Sequence, residues 1–298
     1  MDRAFWQAFL ESDEAVPAGH TVEALTPELL GYLGSPDAYL RDEVAYPVLD
    51  SWISHGLYPA EQLRAMLGQL ASNLEVGLGE QGDDRVFLRT FSLLVANEIL
   101  ERDNLQPFLS AAELRDWLER ALRYLAAERD LRGYTGASGW AHSAAHTADT
   151  LWVLSRSRYL GQADLIRILD AISAKISAPV AHIYLYGEDQ RMAAVIMSIL
   201  RRELLDLAAL QEWLARLVAP SSRFWNAGDF AEPQASALLN TKLLLHSTYA
   251  QLLLGSRVPR YHPDPAYFER APSVRDALLP ALAEALRAIE PHSYAAKE

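Results

Sequence analysis

Helix-start signals recur along almost the whole chain, and the connections between them are short. Ser35-Pro36-Asp37 supplies a capping oxygen, a proline in the first turn and an acid near the positive end of a helix. Ser110 and Glu113 have the spacing of a capping box and precede an apolar stretch with helical period. Pro47 predicts a kink in the helix that follows Ser35. A fold built from helices is therefore the first expectation.

The apolar periodicity predicts about eleven helical stretches. They cover about residues 27–33, 36–54, 59–77, 84–102, 111–129, 140–156, 162–176, 188–205, 207–218, 233–254 and 273–289. Helices of this length joined by short turns predict stacked antiparallel helix pairs, as in a HEAT/armadillo-like α-solenoid or an α/α toroid. The spacing between similar stretches is loose, so any repeats are degenerate.

We predict one all-helical domain over residues 1–298. Within it, residues 35–218 form a repeat core that carries the polar clusters. Residues 219–298 form an irregular loop followed by C-terminal helices. Val180 to Tyr186 is the one candidate for a strand, because no other run alternates β-branched and polar residues.

Composition and charge exclude several classes of protein. Half of the residues are hydrophobic, which argues against disorder. The chain has no cysteine, so disulfides, thiolate zinc sites and a cysteine nucleophile are excluded. The net charge of −12 disfavours nucleic-acid binding, which requires a basic face. The N-terminus lacks the pattern of a secretory signal, and no apolar run has the roughly 20 residues of a membrane span. We therefore expect a cytoplasmic protein that binds neither nucleic acid nor membrane.

One segment of the sequence contains several residues of types that are common in catalytic and metal sites. Gly133, Gly136 and Gly139 interrupt one predicted helix and precede the next. On that next helix His142, His146 and Asp149 lie at positions i, i+4 and i+7. At 3.6 residues per turn these positions fall within about 60° of one another. The sequence therefore predicts that two imidazoles and a carboxylate share one helix face.

Two imidazoles and a carboxylate suit a divalent metal such as zinc, manganese or iron. Ser143 follows the first histidine, so the His-Glu-x-x-His motif of zincins is absent. Further ligands would have to come from elsewhere in the chain, and the candidates are Glu128, Asp130, Glu188 and Asp189. The alternative is that both histidines are buried in a helical core and bonded to carboxylates or carbonyls.

Other charged clusters can also be explained by a structural role alone. Glu188-Asp189-Gln190-Arg191 opens a predicted helix, where acids also serve as capping groups. Arg41-Asp42-Glu43 lies in the middle of a predicted helix, where interhelical ion pairs explain it without chemistry. Arg89 lies among apolar residues, which predicts a pairing with a carboxylate.

These clusters together resemble a known family. Arg132-Gly133, Gly139-Trp140-Ala141-His142-Ser143, His146 and Asp149 combine with Arg41-Asp42-Glu43, Phe87-x-Arg89-x-Phe91-Ser92 and Glu188-Asp189-x-Arg191. The combination resembles the bacterial family called domain of unknown function 2785, over roughly residues 38 to 215. The resemblance implies an all-helical cytoplasmic protein. It implies no activity and no catalytic residues.

Two functional hypotheses follow. In the first, a polar pocket around His142, His146 and Asp149 binds one divalent metal or a small anionic ligand, and a metal-dependent hydrolase is the leading guess if the protein is an enzyme. Glu128 or Glu188 then completes the metal shell or acts as base. The remaining candidates for binding residues are Arg132, Tyr134, Trp140, Asp189 and Arg191. In the second hypothesis the protein is a helical-repeat scaffold for a protein partner, and its polar clusters are structural.

Overall fold

The computed structural model describes residues 1–12, 14–228, 230–256 and 264–294. Every regular element in these ranges is a helix, so the all-α prediction is confirmed, and Val180 to Tyr186 is not a strand. The chain divides into two compact units, which are unit 1, Met1–Leu154, and unit 2, Ser155–Glu298. The single domain expected from the sequence stays a prediction.

Unit 1 contains seven α-helices, a π-helix and one 3₁₀ turn within its described residues. In chain order they are α1 (Arg3–Leu10), α2 (Val22–Tyr32), the π-helix (Tyr39–Ala45), α3 (Tyr46–Ser54), α4 (Ala60–Asn73), α5 (Arg85–Leu105), α6 (Ala111–Ala127), the 3₁₀ turn (Gly136–Ser138) and α7 (Ser143–Leu154).

Unit 2 contains seven α-helices and one 3₁₀ turn within its described residues. In chain order they are α8 (Gln162–Ile176), α9 (Glu188–Arg201), α10 (Leu207–Val218), the 3₁₀ turn (Ser221–Arg223), α11 (Phe224–Ala227), α12 (Gln234–Leu254), α13 (Pro265–Glu269) and α14 (Arg275–Ile289). The last four helices fall in the segment for which the sequence predicts a loop and C-terminal helices.

Side-chain caps explain where several helices begin. Ser110 and Glu113 form the predicted capping box at α6. Thr21 caps α2 by accepting a hydrogen bond from the backbone N–H of Ala24, so this helix begins five residues before the predicted start. Pro27 therefore lies inside α2, whereas the predicted start at residue 27 places it in the first turn of a helix.

A π-helix replaces the predicted kink at Pro47. The backbone N–H of Tyr46 bonds to the carbonyl of Arg41, five residues earlier. Pro47 has no N–H to donate to the carbonyl of Glu43, and its ring crowds that carbonyl. The helix therefore widens over Tyr39–Ala45 before it continues as α3.

Helix α5 is the centre of unit 1, because it packs against α3, α4 and α7. Fourteen of its residues are buried, and each fully buried aliphatic side chain stabilises the fold by about 1.5–3 kcal/mol. Small residues at Ala144, Ala145 and Ala148 of α7 are buried as well, and they allow the close approach of α5. None of the helices in the described ranges combines the length and apolar character needed to cross a membrane.

The glycine-rich segment between α6 and α7 folds back on itself and lies against the π-helix. The N–H groups of Ala141 and His142 bond to the carbonyls of Gly133 and Arg132, both at 2.9 Å. Gly139 has φ +71°, and a Cβ there would lie 2.6 Å from Asp42 Oδ2 and 2.9 Å from Ala38 Cβ. Glycine is required at this position by its left-handed backbone and by the close approach of the π-helix.

We expect Gly139→Ala to lower the free energy of unfolding by about 2–4 kcal/mol, because it adds a steric clash to the left-handed backbone. Gly136→Ala is the matched control, since Gly136 also has positive φ but has open space where a Cβ would lie. The control should lose only about 1 kcal/mol. Urea unfolding of both variants measures the difference, and equal losses would contradict the packing account.

Candidate functional site

A row of aromatic rings runs from the surface of unit 1 into its core. The members of this aromatic row are Tyr134, Trp140, His142, His146 and Phe91. Tyr134 and Trp140 meet edge to face at 5.0 Å, and Trp140 stacks on His142 at 4.5 Å. The ring centroids of His142 and His146 are 5.6 Å apart, and the rings of His146 and Phe91 form a T-shaped pair at 5.2 Å. Tyr134 is 51% and Trp140 37% exposed, so this end of the row faces solvent.

The two histidines do not share a regular helix face. His142 has φ +54° and precedes α7, which begins at Ser143, so the helix predicted from residue 140 begins later. His142 is 4% exposed and His146 5% exposed, and both imidazoles lie against aromatic rings. In the part of the chain that the structure describes, no three His, Asp or Glu side chains form a group that could hold a metal ion. The geometry thus supplies no ligand set for the predicted metal, which stays a prediction.

Arg132 and Arg89 both bind acceptors inside unit 1. Arg132 forms an ion pair with Asp130 at 2.7 Å and donates to the carbonyl of Asp83 at 3.1 Å. Arg89 and Glu128 form a buried bidentate ion pair, with distances of 2.6 and 3.1 Å. The predicted pairing of Arg89 with a carboxylate is thus present.

Glu128 has further structural contacts. It is the C-cap residue of α6, and its Oε1 accepts backbone hydrogen bonds from Arg129 and Asp130 at 2.9 Å each. Both oxygens of this carboxylate are thus occupied by a guanidinium and two backbone N–H groups. The candidate catalytic role of Glu128 gains no support from these surroundings.

The remaining predicted site residues, Glu188, Asp189 and Arg191, belong to unit 2. Glu188 is the first residue of α9 and accepts a hydrogen bond from the N–H of Tyr186 at 2.8 Å. Burial raises the pKa of Glu188. Asp189 accepts a hydrogen bond from Ser247, and Arg191 lies half-buried on the first turn of the same helix. The helix dipole favours acids in the first turn of a helix, so a capping role explains Glu188 and Asp189 without chemistry.

Arg41 positions the π-helix against the aromatic row. Its buried guanidinium lies over the ring of Phe87 at 3.9 Å and forms an ion pair with Asp42 at 2.8 Å. It also donates to the carbonyls of Ser35 and Ser138. Asp42 in turn accepts a hydrogen bond from the backbone N–H of Trp140. The exposed end of the aromatic row is thereby tied to the start of a polar helix face.

The same helix face also carries part of a cluster of acids, whose residues lie outside the motifs of the sequence analysis. Asp42, Tyr46 and Asp50 follow one another at intervals of four residues. Tyr46 donates its hydroxyl proton to Glu98 Oε1 at 3.0 Å, and Asn97 Nδ2 donates to the same oxygen at 3.0 Å. The carboxyl groups of Asp50 and Glu98 are hydrogen-bonded to each other. We call Tyr46, Asp50, Asn97 and Glu98 the acid cluster.

Two carboxyl groups can be hydrogen-bonded only if they share a proton. Burial, followed by the charge of Asp50, raises the pKa of Glu98 to about 8. Burial also raises the pKa values of Asp50 and Tyr46. The acid cluster therefore holds a proton at neutral pH, while Asp50 and Glu98 both keep partial contact with solvent. Buried carboxyl pairs of this kind are typical of functional sites.

Two features of the sequence correspond to the acid cluster, and neither is specific. The interval of four residues between Asp42, Tyr46 and Asp50 marks one helix face. Asn97 and Glu98 interrupt an apolar stretch from Phe91 to Leu100. Neither signal could show that α3 and α5 bring these groups together.

The shared proton makes stability depend on pH. An acid whose pKa is higher in the folded than in the unfolded state binds more protons when folded, so stability falls as pH rises from about 4.5 to about 8. We expect Glu98→Gln, which mimics the protonated form, to match the wild type at pH 5. At pH 9 the variant should be more stable by on the order of 2 kcal/mol.

Denaturant unfolding at pH 5 and pH 9 measures this effect. Glu43→Gln is the control, because Glu43 lies exposed on the π-helix. The control should change stability equally at both pH values. A Glu98→Gln variant that follows the pH dependence of the wild type would show that no proton is shared.

Comparison with protein families places the chain. The family described as "Protein of unknown function (DUF2785)" matches residues 74–250. The match begins after Arg41-Asp42-Glu43 and continues past residue 220, so its limits differ from the predicted 38–215. Comparison with curated proteins finds no match, and comparison with solved structures finds none. Because more than half of its length is matched, the chain belongs to the DUF2785 family, as its sequence motifs predict.

Proposed function

We propose that unit 1 binds a small organic molecule at the acid cluster and the exposed end of the aromatic row. The observation that carries this proposal is the carboxyl–carboxyl hydrogen bond between Asp50 and Glu98. Such a pair destabilises a fold in which it has no role, because both carboxyl groups lose hydration and only one can ionise readily. A ligand that uses the pair offsets that loss.

Taken together, the acid cluster and the exposed end of the aromatic row have the composition of a small-molecule site. Binding sites combine apolar or aromatic walls with a few polar groups that converge. Trp140 and Tyr134 offer partly exposed ring faces at one end. Asp42 connects them to Tyr46, whose burial and acidic neighbours raise its pKa and keep it a hydrogen-bond donor.

An anionic ligand fits this site less well than a neutral or cationic one. Arg41, Arg89 and Arg132 each pair with a carboxylate of unit 1. The acid cluster itself is negative, and Asp149 adds to the potential at Tyr46. A guanidinium that holds an anionic ligand therefore has little support. A metal-dependent hydrolase requires ligands beyond those that the described residues group together.

The scaffold hypothesis has one observation in its favour. The pairs Arg41–Asp42, Arg89–Glu128 and Arg132–Asp130 stabilise segments of unit 1 and need no ligand to explain them. In that case the protein partner is expected to be basic, because the chain is acidic. The acid cluster is the feature that this second hypothesis leaves unexplained.

We extend the proposal to the arrangement of the helices in each unit and to the location of the protein. Inside unit 1, α5 packs against α3, α4 and α7, and inside unit 2, α12 packs against α9 and α14. These packings support stacked helix pairs, of the solenoid or toroid kind, as the arrangement in each unit. We also propose that the protein is cytoplasmic and binds neither nucleic acid nor membrane.

A thermal-shift experiment with three classes of small molecules tests the proposal. Amines, carboxylic acids and neutral polyols are added separately to the wild type and to an Asp50→Asn/Glu98→Gln double variant. At a concentration of about 100 times the Kd, a ligand stabilises the folded protein by about 2.7 kcal/mol, which raises Tm by several degrees.

We expect at least one class to raise Tm of the wild type and to lose this effect in the double variant. Asp116→Asn is the control, because Asp116 is an exposed carboxylate on α6. It should respond as the wild type does. The absence of any shift, or equal shifts in the double variant, would reject the site.

A further inference from the structure

Two arginines of unit 2 hold each other's backbone through reciprocal hydrogen bonds. Arg201 is the last residue of α9, and Arg270 is the C-cap residue of α13. Arg201 Nε donates to the carbonyl of Arg270 at 3.0 Å, and Arg270 Nη2 donates to the carbonyl of Arg201. Arg201 Nη2 also donates to the carbonyl of Phe268 and to Ser256 Oγ. The two side chains therefore lie in the same small region of unit 2, and we call them the arginine pair.

A third arginine adds positive charge at the same end of α9. Arg202 is the C-cap residue of this helix. Its Nη1 donates to the carbonyls of Ser155 and Ser157 at 2.7 and 2.9 Å, and its Nη2 donates to that of Leu160 at 3.0 Å. All the printed acceptors of these guanidinium groups are thus uncharged oxygens. The bonds fasten neighbouring segments to the end of α9, which is their structural role.

The positive charge of these three arginines has no carboxylate partner in the described part of unit 2. The acids next to them in the chain are Glu203 and Glu269, which are both exposed and form no ion pair with them. Burial lowers the pKa of Arg201, and the charge of Arg270 lowers it further. Burial lowers the pKa of Arg202 as well.

The arginines of unit 1 are neutralised in a different way. Arg41, Arg89 and Arg132 each form an ion pair with a carboxylate. A buried cation without a counter-ion is unfavourable, and carbonyl oxygens offset only part of that loss because they carry no net charge. The structural role of the arginine pair explains its hydrogen bonds but not its lack of counter-charge. An anion from solution supplies that charge.

The arginine pair also has N–H groups with which to bind an anion. Across the described ranges, Arg201 Nη1 and Arg270 Nε and Nη1 have no hydrogen-bond partner. Arg270 is exposed whereas Arg201 is 2% exposed, so an anion reaches the pair from the side of Arg270. Guanidinium groups bind oxyanions such as carboxylate and phosphate through parallel N–H donors.

We propose that Arg201 and Arg270 bind a dianionic oxyanion, such as the phosphoryl group of a small molecule. Two guanidinium groups without a carboxylate partner match two negative charges, and Arg202 adds to the positive potential. A phosphomonoester carries a charge of about −1.5 to −2 at pH 7. A carboxylate carries only one charge and neutralises the pair less completely. The site lies in unit 2, so the inference is independent of the function proposed for unit 1.

Phosphorus-31 NMR of inorganic phosphate in the presence of the full chain at pH 7.5 tests the inference. Exchange between free and bound phosphate broadens the resonance, and a titration gives the Kd. We expect sulfate to displace phosphate, because it is also a tetrahedral dianion. Acetate at the same ionic strength should displace phosphate about tenfold less effectively, because it has one charge.

Three variants locate the bound phosphate. Arg270→Gln should weaken phosphate binding about tenfold, because it removes one of the two guanidinium groups. Arg270→Lys keeps the charge but not the parallel donors, so its affinity should lie between those of Arg270→Gln and the wild type. Arg216→Gln is the matched control, because Arg216 is an exposed arginine of α10 that pairs with Asp170 and Glu212. It should bind phosphate as the wild type does, and circular dichroism verifies that all three variants are folded.

Several outcomes would overturn the inference. They are the absence of broadening, an unchanged Kd in Arg270→Gln, and displacement by acetate as effective as that by sulfate. The Asp50→Asn/Glu98→Gln double variant should bind phosphate as the wild type does. Loss of phosphate binding in that variant would assign the anion to unit 1 and would also reject the site at the arginine pair. Failure of the small-molecule site in unit 1 leaves the expected phosphate result unchanged, so the two proposals are tested separately.

Discussion

The buried guanidinium of Arg41 is the interaction on which the arrangement of unit 1 depends. A charge in the protein interior needs a counter-ion and acceptors for its N–H groups. Arg41 obtains them from Asp42, from the carbonyl of Ser35 and from the carbonyl of Ser138, and its plane lies on the ring of Phe87. These contacts require the glycine-rich segment to lie directly against the π-helix. They also explain why Gly139 must lack a side chain.

The position of Asp42 follows from that constraint, and the acid cluster follows from the position of Asp42. The π-helix carries Asp42 to the N–H of Trp140, and the same helix face continues through Tyr46 to Asp50. Helix α5 meets this face with Glu98, while its Phe87 and Phe91 lie beneath Arg41. One side of α5 thus supplies aromatic support for a cation and, three turns later, a carboxyl group for an acid pair.

The helices of this protein could be predicted from local signals, whereas its candidate site could not. Caps such as Ser110 and apolar periods are properties of neighbouring residues, so α6 and most other helices are visible in the sequence. The left-handed backbone of His142 arises from packing, and it removes this residue from the predicted helix face. The π-helix before Pro47 arises from one missing N–H. The contact between Asp50 and Glu98 joins residues that are distant in the chain. Only the packing of α3 on α5 determines it.

The charged groups of unit 1 differ in what they require from a ligand. In the pairs Arg89–Glu128 and Arg132–Asp130 a guanidinium fork meets a carboxylate, so charge and hydrogen bonds are satisfied within the protein. A ligand that displaced either partner would leave a buried charge without its counter-ion. In the pair Asp50–Glu98 both partners are acids, and the proton that joins them exchanges with solvent as the pH changes. Of these three pairs, the acid pair is therefore the one whose state a small molecule can change without breaking the fold.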